Sequence, residues 1–217
     1  MRLAIIHTTP ATIEPLKALA GELLPGVDVV NFVDDSILPQ LRDNGGDVEA
    51  VAGRLMQYAT FAEEVGADAI LSACSSVGEV VDRMRQQVRI PVIRIDEAMA
   101  EDAVARGDVI GVAATLATTL HPTLRLIERK AADANRTVTV KTRLVSAAYE
   151  QLMAGNAAGH DALLAEALLD LAAETDVVVL AQASMARVVA QLPESLQNRF
   201  LSSPRLAMQR VKAVLWG

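Results

Sequence analysis

Short, nearly continuous apolar runs alternate along the chain with longer stretches in which apolar positions recur every three or four residues. The first kind marks strands buried on both faces, and the second marks amphipathic helices. Strands are expected at residues 2–7, 27–32, 67–73 and 90–95, and helices at 13–23, 47–65 and 78–86. Pro25-Gly26 reads as a turn, Asp47 as a helix N-cap and Gly66 as a helix stop. Residues 33–46 are polar, hold Asp34, Asp35 and Asn44-Gly45-Gly46, and read as one long loop of the length used for lids. The alternation then starts again, with strands at 109–114, 137–144, 177–181 and 199–202. Helices are expected at 120–135, with Pro122 in the first turn, and at 147–154, 161–174, 185–191 and 205–215. Strand–helix alternation of this kind specifies a parallel sheet with helices on both faces.

The alternation is a repeat in sequence as well as in pattern. DAILSACSSVGEVV at residues 68–81 is echoed 108 positions later by DVVVLAQASMARVV at 176–189. Asp, Ala, Ser, Val and Val coincide, Cys74 falls opposite Gln182, and Ser76 falls opposite Ser184. Upstream, HTTPATIEP at 7–15 is echoed 107 positions later by ATLATTLHP, so that Thr8, Thr12 and Pro15 meet Thr115, Thr119 and Pro122. Ala98-Met99 and Ala207-Met208 form a third echo. Two echoes in the same order at half the chain length point to a duplicated α/β unit. The expected architecture is a pair of pseudo-symmetric flavodoxin-like parallel-sheet halves with the active site between them. Residues 1–95 and 205–217 form the first half and 96–204 the second, the last helix packing back on the first.

Composition narrows the function classes. Of 217 residues, 52% are hydrophobic, enough for a large core in one domain or two. A net charge of −7 and 3% aromatics give neither the basic footprint nor the stacking surfaces of a nucleic-acid binder. No apolar run reaches the roughly 20 residues of a membrane span, and the chain opens directly into a strand, so no membrane partner and a cytoplasmic location are expected. The single cysteine makes no internal disulfide, and three scattered histidines make no metal cluster. No G-x-G-x-x-G or Walker loop follows a strand, so no nucleotide cofactor is expected.

In open parallel sheets, ligands bind beyond the carboxyl ends of the strands where strand order reverses. With order 2-1-3-4 in each half, the loops after the first and third strands become neighbours. These loops are 7–12 and 74–76 in the first half, and 114–119 and 182–184 in the second. They carry the two main echoes and are rich in hydroxyls: Thr8, Thr9, Ser75, Ser76, Thr115, Thr118 and Ser184. They hold no Lys or Arg, so a carboxylate bound by hydroxyls and backbone N–H groups suits them better than a phosphate. Cys74, at the start of a helix, is the candidate nucleophile or acid/base group, and that position is expected to lower its pKa. His7, at the adjacent strand end, is either its base or hydrogen-bond partner or a structural histidine. His121 and His160 read as structural, and Asp34 and Asp35 as a solvated loop.

These residues resemble the aspartate/glutamate racemase superfamily, which includes hydantoin racemases, maleate isomerases and arylmalonate decarboxylases. Cys74-Ser75-Ser76 matches its first motif, Ala114, Thr115 and Thr118 match its middle motif, and Ala181-Gln182-Ala183-Ser184 stands where the second cysteine motif lies, with Gln182 in the cysteine's place. The resemblance implies a cofactor-independent, homo-oligomeric enzyme for a small carboxylate, with Thr8, Thr9, Ser75, Ser76, Thr115, Thr118, Gln182, Ala183 and Ser184 as binding residues. Two thiols on opposite faces of a carbon perform the family's racemisation, and hydroxyl and N–H donors hold the enolate-like charge. One thiol suffices for protonating a carbanion after decarboxylation, or for adding to a double bond. The expectation is therefore an isomerase or lyase using Cys74 alone, not a two-cysteine amino-acid racemase. The alternative is a non-catalytic carboxylate-binding or sensor protein on the same fold.

Overall fold

A computed structural model describes residues 1–182 and 185–217. The chain divides into two compact units, Met1–Asp96 with Pro204–Gly217, and Glu97–Ser203. Each is built on a parallel four-stranded sheet. Among the described residues no helix is long and apolar enough to cross a membrane.

In the first unit, β1 (Arg2–His7), β2 (Asp28–Val33), β3 (Ala69–Ser72) and β4 (Val92–Arg94) lie in the order β2-β1-β3-β4. Successive side chains leave a strand on opposite faces, and the central strands here are apolar on both. Leu3, Ile5, Leu71 and Ile93 pack on Leu16 and Ala20 of α1 (Ile13–Leu23) and on Ala207, Met208 and Val211 of the chain's last helix, Ser203–Trp216. On the other face, Ala4, Ile6, Ile70 and Val92 meet α2 (Ile37–Asp43), α3 (Glu49–Glu64), a 3-10 turn at Ser75–Val80, and α4 (Val81–Gln87).

The second unit opens with α5 (Glu97–Arg106). It continues through β5 (Val109–Ala114), α6 (Ala117–Asp133), β6 (Thr139–Leu144), α7 (Ser146–Met153), α8 (Ala157–Ala173), β7 (Val177–Leu180), α9 (Ala186–Val189), α10 (Glu194–Gln197) and β8 (Phe200–Ser202). The last helix is α11. Strand order is β6-β5-β7-β8, the same as in the first unit. Ala113, Val178 and Leu180 pack on Ala148, Leu164, Leu168 and Val188 of α7, α8 and α9, while α5 and α6 contact each other and reach β7 and β5. The registers also agree: Ile6 pairs with Ser72 and Ala113 with Leu180. Cys74 lies two residues past Ser72 and Gln182 two past Leu180, so each has the same position in its own sheet.

Besides the short helix α10 and an earlier start to α8, the structure departs from the hydropathy reading in three places. The expected loop at 33–46 contains α2, whose Ile37 and Leu41, one helical turn apart, are fully covered. Pro39 is tolerated there because first-turn N–H groups have no intrahelical partner, and Gly45 and Gly46, both at positive φ, end the excursion. Residues 97–106, to which no element was assigned, form α5. Its buried side is Met99, Ala100, Ala103 and Val104, and alanines give little hydrophobic signal against four acidic and basic neighbours. Helix α6 begins at Ala117 rather than 120, so Pro122 is interior and leaves the Thr118 carbonyl without an intrahelical donor.

The last helix supplies much of the cover over one face of the first sheet, and Met208 is completely enclosed there. Met208→Ala is expected to cost about 2–5 kcal/mol, read as a lowered urea midpoint together with faster amide exchange in β1 and β3.

Candidate functional site

Cys74 sits where β3 ends. Its backbone is extended, and the chain then tightens at once into the 3-10 turn Ser75–Val80. Four donors are directed at its sulfur: the Thr8 hydroxyl, the Ser76 and Val77 backbone N–H groups and the Ser76 hydroxyl. Thr8 reaches it because β1 and β3 are neighbours and both loops leave the same edge of the sheet. The neutral thiol closes no capping hydrogen bond, so these donors act chiefly on the thiolate. The residue is half-buried by its surface, but desolvation around the sulfur outweighs the donors, and the Cys74 pKa lies above that of an ordinary thiol. This corrects the expectation of a lowered value: the start of the helix favours the thiolate, but desolvation disfavours it more.

The second unit repeats the arrangement with different chemistry. Gln182 Oε1 accepts from the Thr115 backbone N–H at 2.7 Å and from the Thr115 hydroxyl at 3.0 Å. Thr8 over Cys74 in one sheet thus corresponds to Thr115 over Gln182 in the other. Thr115 is buried and Thr118 is exposed at the start of α6. In the first unit, Thr9 is half-buried, accepts from the Ala11 N–H and receives the Thr12 hydroxyl on its carbonyl; Ser75 is also half-buried. Ala183 and Ser184 lie outside the described residues.

His7 does not join Cys74. Its Nδ1 lies 2.7 Å from Thr12 Oγ1 and its Nε2 2.8 Å from Asn31 Oδ1, on the β2 side of β1. Of the two roles left open by the sequence, the structure supports the structural one. Burial pushes the imidazole pKa below its usual value, only partly offset by the Asn31 hydrogen bond. Asp34 is not a solvated loop residue. It accepts from Arg54, Tyr58 and the Ser36 hydroxyl and backbone, pinning the start of α2 to α3. Burial raises its pKa, but those bonds win and hold the carboxyl below the usual range. His160 is buried between Asp161 and Arg187 and ties α8 to α9.

One part of the site gave little signal in the sequence. Arg94, on β4 in register with Ser72, is 2% exposed and forms a double ion pair with Asp96, at 2.5 and 2.8 Å. Its guanidinium lies flat against Gly78, in the middle of the turn that bears on Cys74, and a Cβ on that glycine would overlap Cζ and Nε. Gly78 is required by this close approach. The readable hint was a lone arginine inside the apolar run PVIRID, followed by its own counter-ion.

Two outcomes follow for the first unit. Thiol labelling by iodoacetamide across pH is expected to give Cys74 a pKa above the ordinary free-thiol range. The value should rise further in Thr8→Val, which removes a donor to the thiolate, and in Gly78→Ala, which pushes the turn off Arg94. An ordinary or lowered value in the unmodified chain would contradict the picture. For His7, a depressed folded pKa means that the unfolded chain takes up the proton first as pH falls. Its contribution to stability is complete above the ordinary value of 6.5 and is lost below it, with a slope of at most about 1.4 kcal/mol per pH unit. Urea midpoints measured downward from about pH 8 should show this decline near the ordinary histidine pKa, flattened in His7→Gln.

The Asp/Glu/Hydantoin racemase family model matches residues 4–211, while no curated protein matches the sequence. Among solved structures, an allantoin racemase from Klebsiella pneumoniae aligns with a TM-score of 0.67 at 18% identity, over 99% of this chain and 87% of that one. A glutamate racemase from Bacillus anthracis gives 0.72 at 17% identity, over 98% and 80%. An aspartate racemase homologue from Pyrococcus horikoshii gives 0.71 at 16%, over 97% and 96%. At these identities the structural likeness speaks for the fold, and the family rests on the sequence model spanning nearly the whole chain. On that ground the chain belongs to the Asp/Glu/hydantoin racemase family.

Proposed function

We propose that this racemase-family enzyme is a cofactor-independent isomerase or lyase for a small carboxylate, working through Cys74 alone. The observation that carries the reading is the matched pair of strand-end contacts. Where the first sheet holds a thiol under Thr8, the second holds an amide under Thr115. Inversion of a carbon centre requires proton removal on one face and delivery on the other. An amide does neither near neutral pH, and the Ser184 hydroxyl is too weakly acidic to replace a thiol without a partner base.

The raised pKa of Cys74 favours one role among those a single thiol can fill. A thiol whose pKa is raised by desolvation holds its proton more firmly than an ordinary one and enters the reaction as an acid. After a carboxylate substituent leaves as carbon dioxide, the S–H protonates the carbanion. The thiolate left behind is the species that the Thr8, Ser76 and Val77 donors favour, and solvent restores its proton. Addition of the thiolate to a double bond would first have to overcome the desolvation. Thr8 and Ser76 face Cys74 within the first unit, and Thr115 is committed to Gln182 within the second. The carboxylate-binding candidates left in this reading are Thr9 and Ser75 of the first unit and Thr118 and Gln182 of the second, with Ala183 and Ser184 kept from the sequence.

The test is a panel of aspartate, glutamate, maleate and monosubstituted malonates followed by chiral chromatography. Neither amino acid should be inverted measurably. Turnover of an unsaturated or geminal diacid should fall by at least about a thousandfold in Cys74→Ala, the scale of losing an acid/base group. Activity that survives in Cys74→Ala would overturn the reading.

A further inference from the structure

Gln182 was singled out as the residue standing where the family motif has a cysteine, and its geometry says more than that the thiol is missing. The amide group nearest Thr115 lies 2.7 Å from a backbone N–H. A backbone N–H only donates, so the atom facing it must be the amide oxygen and not the nitrogen. The Thr115 hydroxyl donates to the same oxygen. Both lone pairs of Oε1 are therefore used within the second unit, and the amide plane cannot flip without setting two donors against each other. Nε2, with its two N–H groups, is held facing away from Thr115. Among the described residues no acceptor is recorded for it, and Gln182 is only half-buried.

We infer that Gln182 is a fixed hydrogen-bond donor that recognises an oxygen of the substrate, and that it makes the second unit's strand-end loop selective for a carboxylate. The inference rests on the carboxylate reading given above and deepens it. A cysteine at this position would exchange protons with the substrate. The locked amide instead presents two N–H groups and no acceptor, because its only acceptor is occupied. A carboxylate offers lone pairs and no hydrogen, the complement of that surface. An ammonium group on the substrate, which only donates, would need an acceptor that Thr115 has already taken, and a hydroxyl could accept from the amide but would offer it a neutral oxygen in place of a charged one. Gln182 is in this sense a specificity residue, and Thr115 is the group that positions it.

The substitution that separates this role from a structural one is Gln182→Glu. A carboxylate in place of the amide keeps an oxygen for the Thr115 N–H and hydroxyl, so a residue that only braces Thr115 would be replaced without loss. A donor to an anion would be replaced by a negative charge. Gln182→Met, of similar length, removes both functions. Binding of malonate and maleate to the full chain is measured by calorimetry near pH 8 and near pH 5, with exchange of the Thr115 amide followed by NMR as a check on the local structure.

In the unmodified chain, one or both dicarboxylates bind at both pH values. In Gln182→Glu the Thr115 amide stays protected, but binding near pH 8 weakens by at least about thirtyfold, the scale of losing a hydrogen bond to a charged group. Part of it returns near pH 5, as protonation of the introduced carboxyl restores a donor. In Gln182→Met, binding weakens at both pH values and Thr115 protection is lost. If Gln182→Glu binds within about twofold of the unmodified chain near pH 8, the amide does not face the anion. The inference then falls, while the carboxylate reading stands. If neither dicarboxylate binds the unmodified chain, the carboxylate reading fails and takes this inference with it.

Discussion

The adjacency of the first and third strands in each parallel sheet is the constraint on which the site depends. Because β1 lies beside β3, a threonine leaving β1 reaches the residue two places beyond β3, and Thr8 meets Cys74. Because β5 lies beside β7 in an equivalent register, Thr115 meets Gln182. In a different strand order these loops would still leave the same edge of the sheet, but with another strand between them. The contact is thus imposed by topology, and the chemistry at its far end is what distinguishes the two units: a thiol in one and an amide in the other.

Burial then decides what the thiol does. Four hydrogen-bond donors around a sulfur would ordinarily suggest an activated thiolate. Desolvation is the larger influence at Cys74 and holds its pKa above that of an ordinary thiol. The same donors remain in place for the moment the proton leaves, which suits a group that gives up a proton during a reaction and recovers it afterwards. Behind the turn, the Arg94–Asp96 pair satisfies a buried charge and lies against Gly78. Removing one partner of such a pair leaves the other unpaired and is strongly destabilising, so the turn rests on a support that tolerates little change.

Much of this was legible in the sequence because the relevant signals are local. The central strand runs are apolar on both faces, as a sheet covered by helices requires, and the echoes at 107 and 108 residues bring Thr8, Cys74, Thr115 and Gln182 into correspondence from the sequence alone. The signals that failed depend on tertiary packing. Helix α2 looked polar because only Ile37 and Leu41 are fully buried, and α5 went unassigned because two alanines among its buried residues give little hydrophobic signal. His7 was readable as either catalytic or structural. Its hydrogen bond to Asn31, twenty-four residues away, comes only from β1–β2 pairing and favours the structural reading. The pKa direction of Cys74 was misjudged for the same kind of reason: the start of the helix is visible in the sequence, and the extent of burial is not.

The central proposal is that Cys74 is the one thiol that transfers a proton to the substrate, a non-ionisable amide standing at the equivalent position of the second unit. Incubating each enantiomer of aspartate and glutamate with the unmodified chain in deuterium oxide, and measuring α-deuterium incorporation and inversion separately, tests it most directly. The account predicts either no reaction or deuterium incorporated with configuration retained. Inversion that keeps pace with exchange would require a second proton-transfer group and would contradict it.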